Sequence, residues 1–233
     1  MDARLADGLG LWFEIFAADV MPGRPALFLD RDGVIVEETN YLGRAEDVRM
    51  ITRAGTAISW ANRAGFAVII VTNQAGIGRG YYGWDGFIDV QERIITDLAN
   101  AHGRIDAVLA CAFHEQGRGP LAQTDHPWRK PNPGMILAAA EALGLDLGRS
   151  IMVGDKISDV EAAHRAGLPW GILVESGHGR DEIQNLSVAS LLPMRVETAR
   201  DIGDAIERIR AMPSCDFVGD RTLDGGKYRM LKP

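Results

Sequence analysis

The sequence predicts an α/β fold built on a mostly parallel sheet with helices on both faces. Three observations predict it. Short apolar, β-branched runs alternate with helix-period segments from residue 26 onward. Three of those runs end abruptly in polar and acidic residues: Asp30-Arg31-Asp32-Gly33, Thr72-Asn73-Gln74 and Gly154-Asp155-Lys156. The composition, 46% hydrophobic and 24% charged over 233 residues, is that of one globular α/β domain with some decoration.

Ala26-Leu27-Phe28-Leu29 reads as a buried strand, short and apolar and followed at once by charge. A helix is predicted over residues 54–64, stopped by Gly65, and a second buried strand over 67–71. A longer helix covers 84–102, and a weaker strand 107–111 follows it. Residues 115–133 are rich in Gly, Pro and polar side chains and read as a functional loop. Then come a helix over 134–143, a strand over 150–153, a helix over 158–166 and a strand over 169–174. Arg195-Val196-Glu197 suits a short edge strand, and 199–212 has helical character. The expected organisation is an N-terminal extension (1–24), one catalytic domain (25–212) and a C-terminal tail (213–233). The packing of Trp12-Phe13 and Phe16 is open between the core and a second subunit.

The chain contains no stretch of about 18 apolar residues, so a membrane-spanning helix is not expected. The first twenty residues are a poor signal peptide, interrupted by acids and without a basic leader. Cys111 and Cys215 are far apart and offer no disulfide framework, which makes a reducing cytoplasm the expected setting. A formal net charge of -7 argues against nucleic acid as a partner and leaves a phosphorylated small molecule open.

In a parallel sheet the three reactive endings lie along one edge, where open α/β sheets bind ligands. Asp30, Asp32 and Asp155 side by side repel one another unless a cation neutralises them, and carboxylate oxygens suit Mg²⁺. A carboxylate can attack a phosphoryl group and form an aspartyl-phosphate. Lys130 and the Thr72 hydroxyl would help to neutralise the equatorial oxygens. Asp32, two residues past the nucleophile, is placed to protonate the leaving oxygen and then activate water. Gly33 suits a tight turn that a side chain would hinder.

The ordered set Asp30-Arg31-Asp32-Gly33, Thr72-Asn73-Gln74, Lys130 and Gly154-Asp155-Lys156-Ile157-Ser158-Asp159 resembles the four motifs of haloacid dehalogenase (HAD) superfamily phosphatases. VTNQAGIGRGYY and RKPNPGM resemble, more narrowly, the group containing heptose 1,7-bisphosphate phosphatases and histidinol-phosphate phosphatases. The resemblance covers residues 25–176 and implies a Rossmann-like core without a large cap, so that loops close the site. It implies a Mg²⁺-dependent phosphoric monoester hydrolase of carbohydrate metabolism, with Asp30 as nucleophile and metal ligand. Asp32 would be the acid/base and ligate through its carbonyl; Asp155 would complete the metal site. Thr72, Asn73 and Lys130 would hold the transferred phosphate, and Arg129 the distal part of the substrate. Gly33 and Lys156 would support the site, and Asp159 would orient Lys156 or cap its helix.

Within that group a zinc loop often carries Cys-X-His and then Cys-X-Cys ahead of Arg-Lys-Pro. Here the two halves read Cys111-Ala112-Phe113-His114 and His126-Pro127-Trp128. Structural zinc is therefore expected to be absent, with Phe113 and Trp128 packing the loop hydrophobically. Trp128 or His126 is expected to touch the substrate. A sugar phosphate or bisphosphate leads as substrate class, with histidinol phosphate as the alternative; Arg79, Arg118 and Arg129 are candidate second cations, and Glu37, Glu38 and Glu115 candidate partners for an amine. An inactive HAD-fold binding module is the reading from another class, and retention of both Asp30 and Asp32 speaks against it.

Overall fold

The computed structural model describes residues 2–16 and 21–212. The expected C-terminal tail and Cys215 lie outside them. Seven strands form one sheet: β1 (Leu11–Ile15), β2 (Pro25–Leu29), β3 (Ala67–Asn73), β4 (Ala107–Cys111), β5 (Asp146–Gly154), β6 (Trp170–Val174) and β7 (Arg195–Ala199). Their order is β1-β4-β3-β2-β5-β6-β7, parallel throughout except for β1, which runs antiparallel to β4. Seven α-helices connect or flank them: α1 (Ala54–Arg63), α2 (Ala75–Gly78), α3 (Trp84–Asn100), α4 (Gly134–Leu143), α5 (Ile157–Arg165), α6 (Gly179–Asn185) and α7 (Ile202–Ala211). None is long and apolar enough to cross a membrane among the described residues.

The predicted fold class is the observed one, and strand alternation explains its layers. Along β2 and β3, Leu27, Leu29, Val68 and Ile70 face one layer, packed with Ile58 of α1, Phe87 and Ile94 of α3 and Ile206 of α7. Ala26, Phe28, Ala67 and Ile69 face the other, with Met135 and Ile136 of α4 and Val160 of α5. With both faces covered, the central strands read as continuous apolar runs.

The segment ahead of residue 25 is not confined to an extension: β1 pairs with β4 over five residues. Trp12 is buried against Trp84 and Phe87, so this segment packs on the domain's own core. Helix α1 stops before Gly65 at φ 92, and α4 stops at Gly144 at φ 62, conformations that glycine adopts without steric cost. Strand β5 starts four residues earlier than the apolar run, because its first half, from Asp146 to Arg149, is only partly buried. β7 extends to Ala199, and the helix after it begins at Ile202, capped by Asp201, which accepts a hydrogen bond from Asp204 N–H at 2.8 Å.

The position of β2 matters most for the site. It is the first parallel strand in the chain and lies at the centre, with β3 and β4 wound to one side and β5, β6 and β7 to the other. The strand order therefore reverses between β2 and β5, and the crevice outside their carboxyl ends is where such sheets bind ligands.

Candidate active site

Asp30 follows β2 and Asp155 follows β5, on either side of that crevice. Asp30, Asp155 and Asp159 are buried, and each presents an oxygen within 4.8 Å of the others. Gly33 and Gly177 let the backbone approach this closely. Both have positive φ, 82° and 61°, and a Cβ on either would collide with the Asp155 carboxylate. Asp155 Oδ2 accepts from His178 N–H at 2.8 Å, whereas its Oδ1 is buried with no hydrogen-bond partner. Burial, then the charges of Asp30 and Asp159, pushes the Asp155 carboxyl up to about 8. An orphaned oxygen and mutually repelling carboxylates fit a hard cation with oxygen ligands.

Lys130 supplies the one ammonium inside the cluster. Its Nζ lies 3.0 Å from Asp30 Oδ1 and 2.7 Å from Asp159 Oδ1, and donates to the Val71 carbonyl at 2.8 Å. All three protons thus meet protein acceptors. Burial alone would lower its pKa, but Asp159 and Asp30 outweigh that and hold it at about 12. Asn73, at the end of β3, positions this lysine from behind. Its side chain donates to the Lys130 carbonyl and accepts the Lys130 N–H, both at 3.0 Å. Asp159 caps α5, with Oδ2 accepting Lys156 N–H at 3.0 Å, and its other oxygen takes the Lys130 ion pair, a contact that spacing alone did not reveal.

Asp32 stands apart from the three carboxylates. Its oxygens are held by Arg31 and by Gln74, at 2.9 to 3.1 Å. Thr72 is 1% exposed, and its Oγ1 accepts from Gln74 Nε2 at 2.9 Å.

These residues open onto a cavity of about 540 Å³ whose wall includes Asp30, Asp32, Glu38, Tyr41, His114, Arg129, Lys130, Lys156 and His178. Two adjacent non-glycine residues of its rim, Asn40 and Tyr41, have φ of 54° and 73°, the sparsely populated region often held at functional sites. Arg129 donates to the Phe113 carbonyl at 3.1 Å and has no carboxylate within ion-pair distance among the described residues. Burial lowers its pKa, as expected for a cation shielded from water. Arg79 and Arg118 do not reach the cavity wall: Arg79 bonds the Tyr41 hydroxyl and lies over the Tyr81 ring, and Arg118 lies against Gly80. Of the candidate acids only Glu38 lines the cavity, with Lys156 and His178 at 3.8 and 3.5 Å.

The loop before Arg129 packs along the sheet edge, and the residues expected to face the substrate do not line the cavity. His126 stacks on Phe113 at 4.2 Å, and Trp128 packs edge-on to Phe13 of β1 at 6.1 Å, so both turn toward the sheet edge and away from the cavity. The residue that does reach the wall is His114. His126 Nδ1 accepts Trp128 N–H at 3.1 Å, and His114 Nδ1 accepts Gln116 N–H at 2.9 Å, so these lone pairs are taken within the loop. Burial pushes the Cys111 thiol up to about 11.

A carboxylate cluster in the crevice at the switch point, suited to a cation, and a buried lysine bridging it fit an HAD-type phosphatase. The HAD-hydrolase-like family profile matches residues 127–193. A D-glycero-β-D-manno-heptose-1,7-bisphosphate 7-phosphatase of Mesorhizobium japonicum is 50% identical over 167 residues, covering 71% of this chain and 77% of that one. The crystal structure of a protein from Mesorhizobium loti described as HAD-like phosphatase superposes with a TM-score of 0.79 at 41% identity, covering 94% and 99% of the two chains. That of the D,D-heptose 1,7-bisphosphate phosphatase from B. bronchiseptica, complexed with magnesium and phosphate, gives 0.71 at 26% identity over 81% and 99%. The chain belongs to the HAD-type phosphatases, in the family of the heptose-1,7-bisphosphate 7-phosphatases.

Proposed function

We propose that this phosphatase hydrolyses the 7-phosphate of D-glycero-D-manno-heptose 1,7-bisphosphate, with Mg²⁺ and through a phospho-aspartate on Asp30. The observation that carries the substrate class is Arg129, a largely buried cation on the cavity wall whose only partner among the described residues is a carbonyl, which suits a second phosphate. Glu38, the acid on that wall best placed for the amine of histidinol phosphate, already faces Lys156 and His178. The magnesium- and phosphate-bound relative and the orphaned oxygen of Asp155 both support Mg²⁺.

Asp30, Asp155 and the Asp32 carbonyl would hold the metal, which when bound offsets the negative charge shared by carboxylates and phosphate. Asp30 Oδ1 is held by Lys130 and by Arg31 N–H at 2.7 Å, which leaves its second oxygen to attack phosphorus. The ester bond from phosphorus to the C7 oxygen breaks, and that oxygen takes a proton from Asp32. Water then attacks the aspartyl-phosphate and gives its proton to Asp32, so inorganic phosphate leaves and Asp30 is restored. Gln74 uses the Thr72 oxygen as acceptor, which leaves the Thr72 hydroxyl proton for the transferred phosphate. Lys130, bracketed by Asn73, neutralises Asp30 and the oxygens that replace its charge. Gly33 and Lys156 support the metal site and its rim.

We further read the loop 111–128 as zinc-free, held by Phe113, His126 and Trp128, and the enzyme as cytoplasmic, with small phosphorylated sugars and not nucleic acid as its partners. Phosphate release with Mg²⁺ from a panel of heptose bisphosphate, histidinol phosphate, other sugar phosphates and a 3′-phosphorylated oligonucleotide tests the assignment. Preference for the heptose bisphosphate, lost in EDTA, is the expected result. Preference for histidinol phosphate would overturn the substrate, and no metal-dependent release from any of them would overturn the activity.

A further inference from the structure

Behind Asp32 lies a set of buried hydrogen bonds, most of which the reaction as written does not use. Arg31 is fully buried, and its Nε and Nη2 donate to Asp32 Oδ1 at 3.1 and 3.0 Å, with Nη2 also 2.9 Å from Oδ2. Gln74, 2% exposed, donates from Nε2 to Asp32 Oδ2 at 3.0 Å and to Thr72 Oγ1 at 2.9 Å. Its Oε1 accepts from Arg31 Nη2 at 3.1 Å and from the Tyr82 hydroxyl at 2.6 Å. Both ends of the amide are therefore saturated, and only one orientation works. Flipped, Gln74 would turn its oxygen on Asp32 and its NH₂ on the Arg31 guanidinium.

A buried ion pair is weak support for stability, since apolar residues of the same volume often serve as well. A fully buried arginine that donates three times to Asp32 is better explained by the orientation it imposes. We propose that Gln74, aligned by Tyr82 and acting with Arg31, is a positioning residue that sets the direction of the Asp32 carboxylate for proton exchange with the leaving oxygen. The same amide fixes the Thr72 hydroxyl, so one side chain aligns the groups that meet the leaving oxygen and the transferred phosphate. This rests on the acid/base role of Asp32 proposed above.

Leaving-group dependence separates positioning from simple support of the fold. An alkyl phosphate needs a proton on its leaving oxygen, whereas an aryl phosphate leaves without one. The experiment is a rapid-quench measurement of the first turnover with Mg²⁺, comparing heptose bisphosphate with an aryl phosphate, in Gln74→Met, Tyr82→Phe and Asp32→Asn. Gln74→Met should slow the alkyl burst about 100-fold and the aryl burst less than about threefold, following Asp32→Asn in direction. Tyr82→Phe, which keeps the ring and is the safer fold, should show the same selectivity at about three- to tenfold. If Asp32→Asn is selective but the other two slow both substrates equally, or neither, the positioning role is overturned and the acid/base role stands. If Asp32→Asn itself is not selective, the acid/base role falls and the positioning role with it.

Discussion

The ammonium of Lys130 lies 3.0 Å from Asp30 Oδ1, at the end of a lysine side chain that is almost wholly buried. The two residues are a hundred positions apart, and Asn73 holds them in register by gripping the Lys130 backbone at both its N–H and its carbonyl. The charge on Asp30 is thus balanced from inside the protein, while Asp155 Oδ1 has no hydrogen-bond partner among the described residues and suits a cation from solvent.

Removing that cation has a predictable signature in pH. The Asp155 carboxyl is raised from 3.8 to about 8, by burial first and then by Asp30 and Asp159. Between those values the folded metal-free protein binds more protons than the unfolded chain, so its stability falls as pH rises from about 4 to about 8. Thermal melts in EDTA should show Tm falling across that window, and Mg²⁺ should restore most of the loss at its upper end. A flat profile with no metal effect would contradict the self-repelling cluster.

Gly33→Ala should damage the metal site before anything else. Its left-handed φ of 82° costs a residue with a Cβ about 1–2 kcal/mol, and the added methyl meets the Asp155 carboxylate. A Mg²⁺ titration of activity should show an apparent affinity weakened at least about tenfold. Unchanged Mg²⁺ dependence would mean that the approach of this turn to Asp155 is not needed.

Arg129→Ala tests the second phosphate. Losing a charge-assisted contact of about 1.5–3 kcal/mol should lower kcat/KM for the bisphosphate by about 10- to 100-fold. A monophosphate that lacks the distal group should lose much less. Equal losses on the two substrates would place Arg129 in the support of the loop, through the Phe113 carbonyl, and not in recognition.

Phe113→Ala should cost about 3 kcal/mol or more, because the ring is buried and stacked on His126. A zinc-selective chelator, with Mg²⁺ kept in excess, should not change the melting, and metal analysis should find no stoichiometric zinc. One zinc per chain would overturn the aromatic account of this loop.

Much of the fold was legible because β-branched runs such as Val68-Ile69-Ile70-Val71 can only be central strands, and because each reactive ending follows one of them. β1 escaped notice for a physical reason: Leu-Trp-Phe-Glu-Ile at a sheet edge shows neither alternation nor a continuous apolar run. Helix α6 (Gly-Arg-Asp-Glu-Ile-Gln-Asn) buries little beyond Gly179 and carries no apolar stripe. In the site, Asp30, Asp155 and Lys130 were legible because strand ends and a loop bring them together, and the role of Arg129 came from the resemblance. The partners of Gln74 were not, because Arg31, Tyr82 and Asp32 meet it only through tertiary packing. Likewise His114, one place later than a zinc ligand would stand, reaches the cavity while Phe113 packs against His126.

Under the proposed mechanism Asp30 carries the phosphoryl group between substrate and water. The most direct measurement is rapid acid quench during turnover of heptose 1,7-bisphosphate with Mg²⁺, followed by peptide mass spectrometry. The account predicts one phosphoryl group on the peptide containing Asp30, absent in EDTA and in Asp30→Asn, which should also lose at least about 1,000-fold in kcat. Full turnover with no phosphorylated aspartate, or turnover that survives Asp30→Asn, would contradict it.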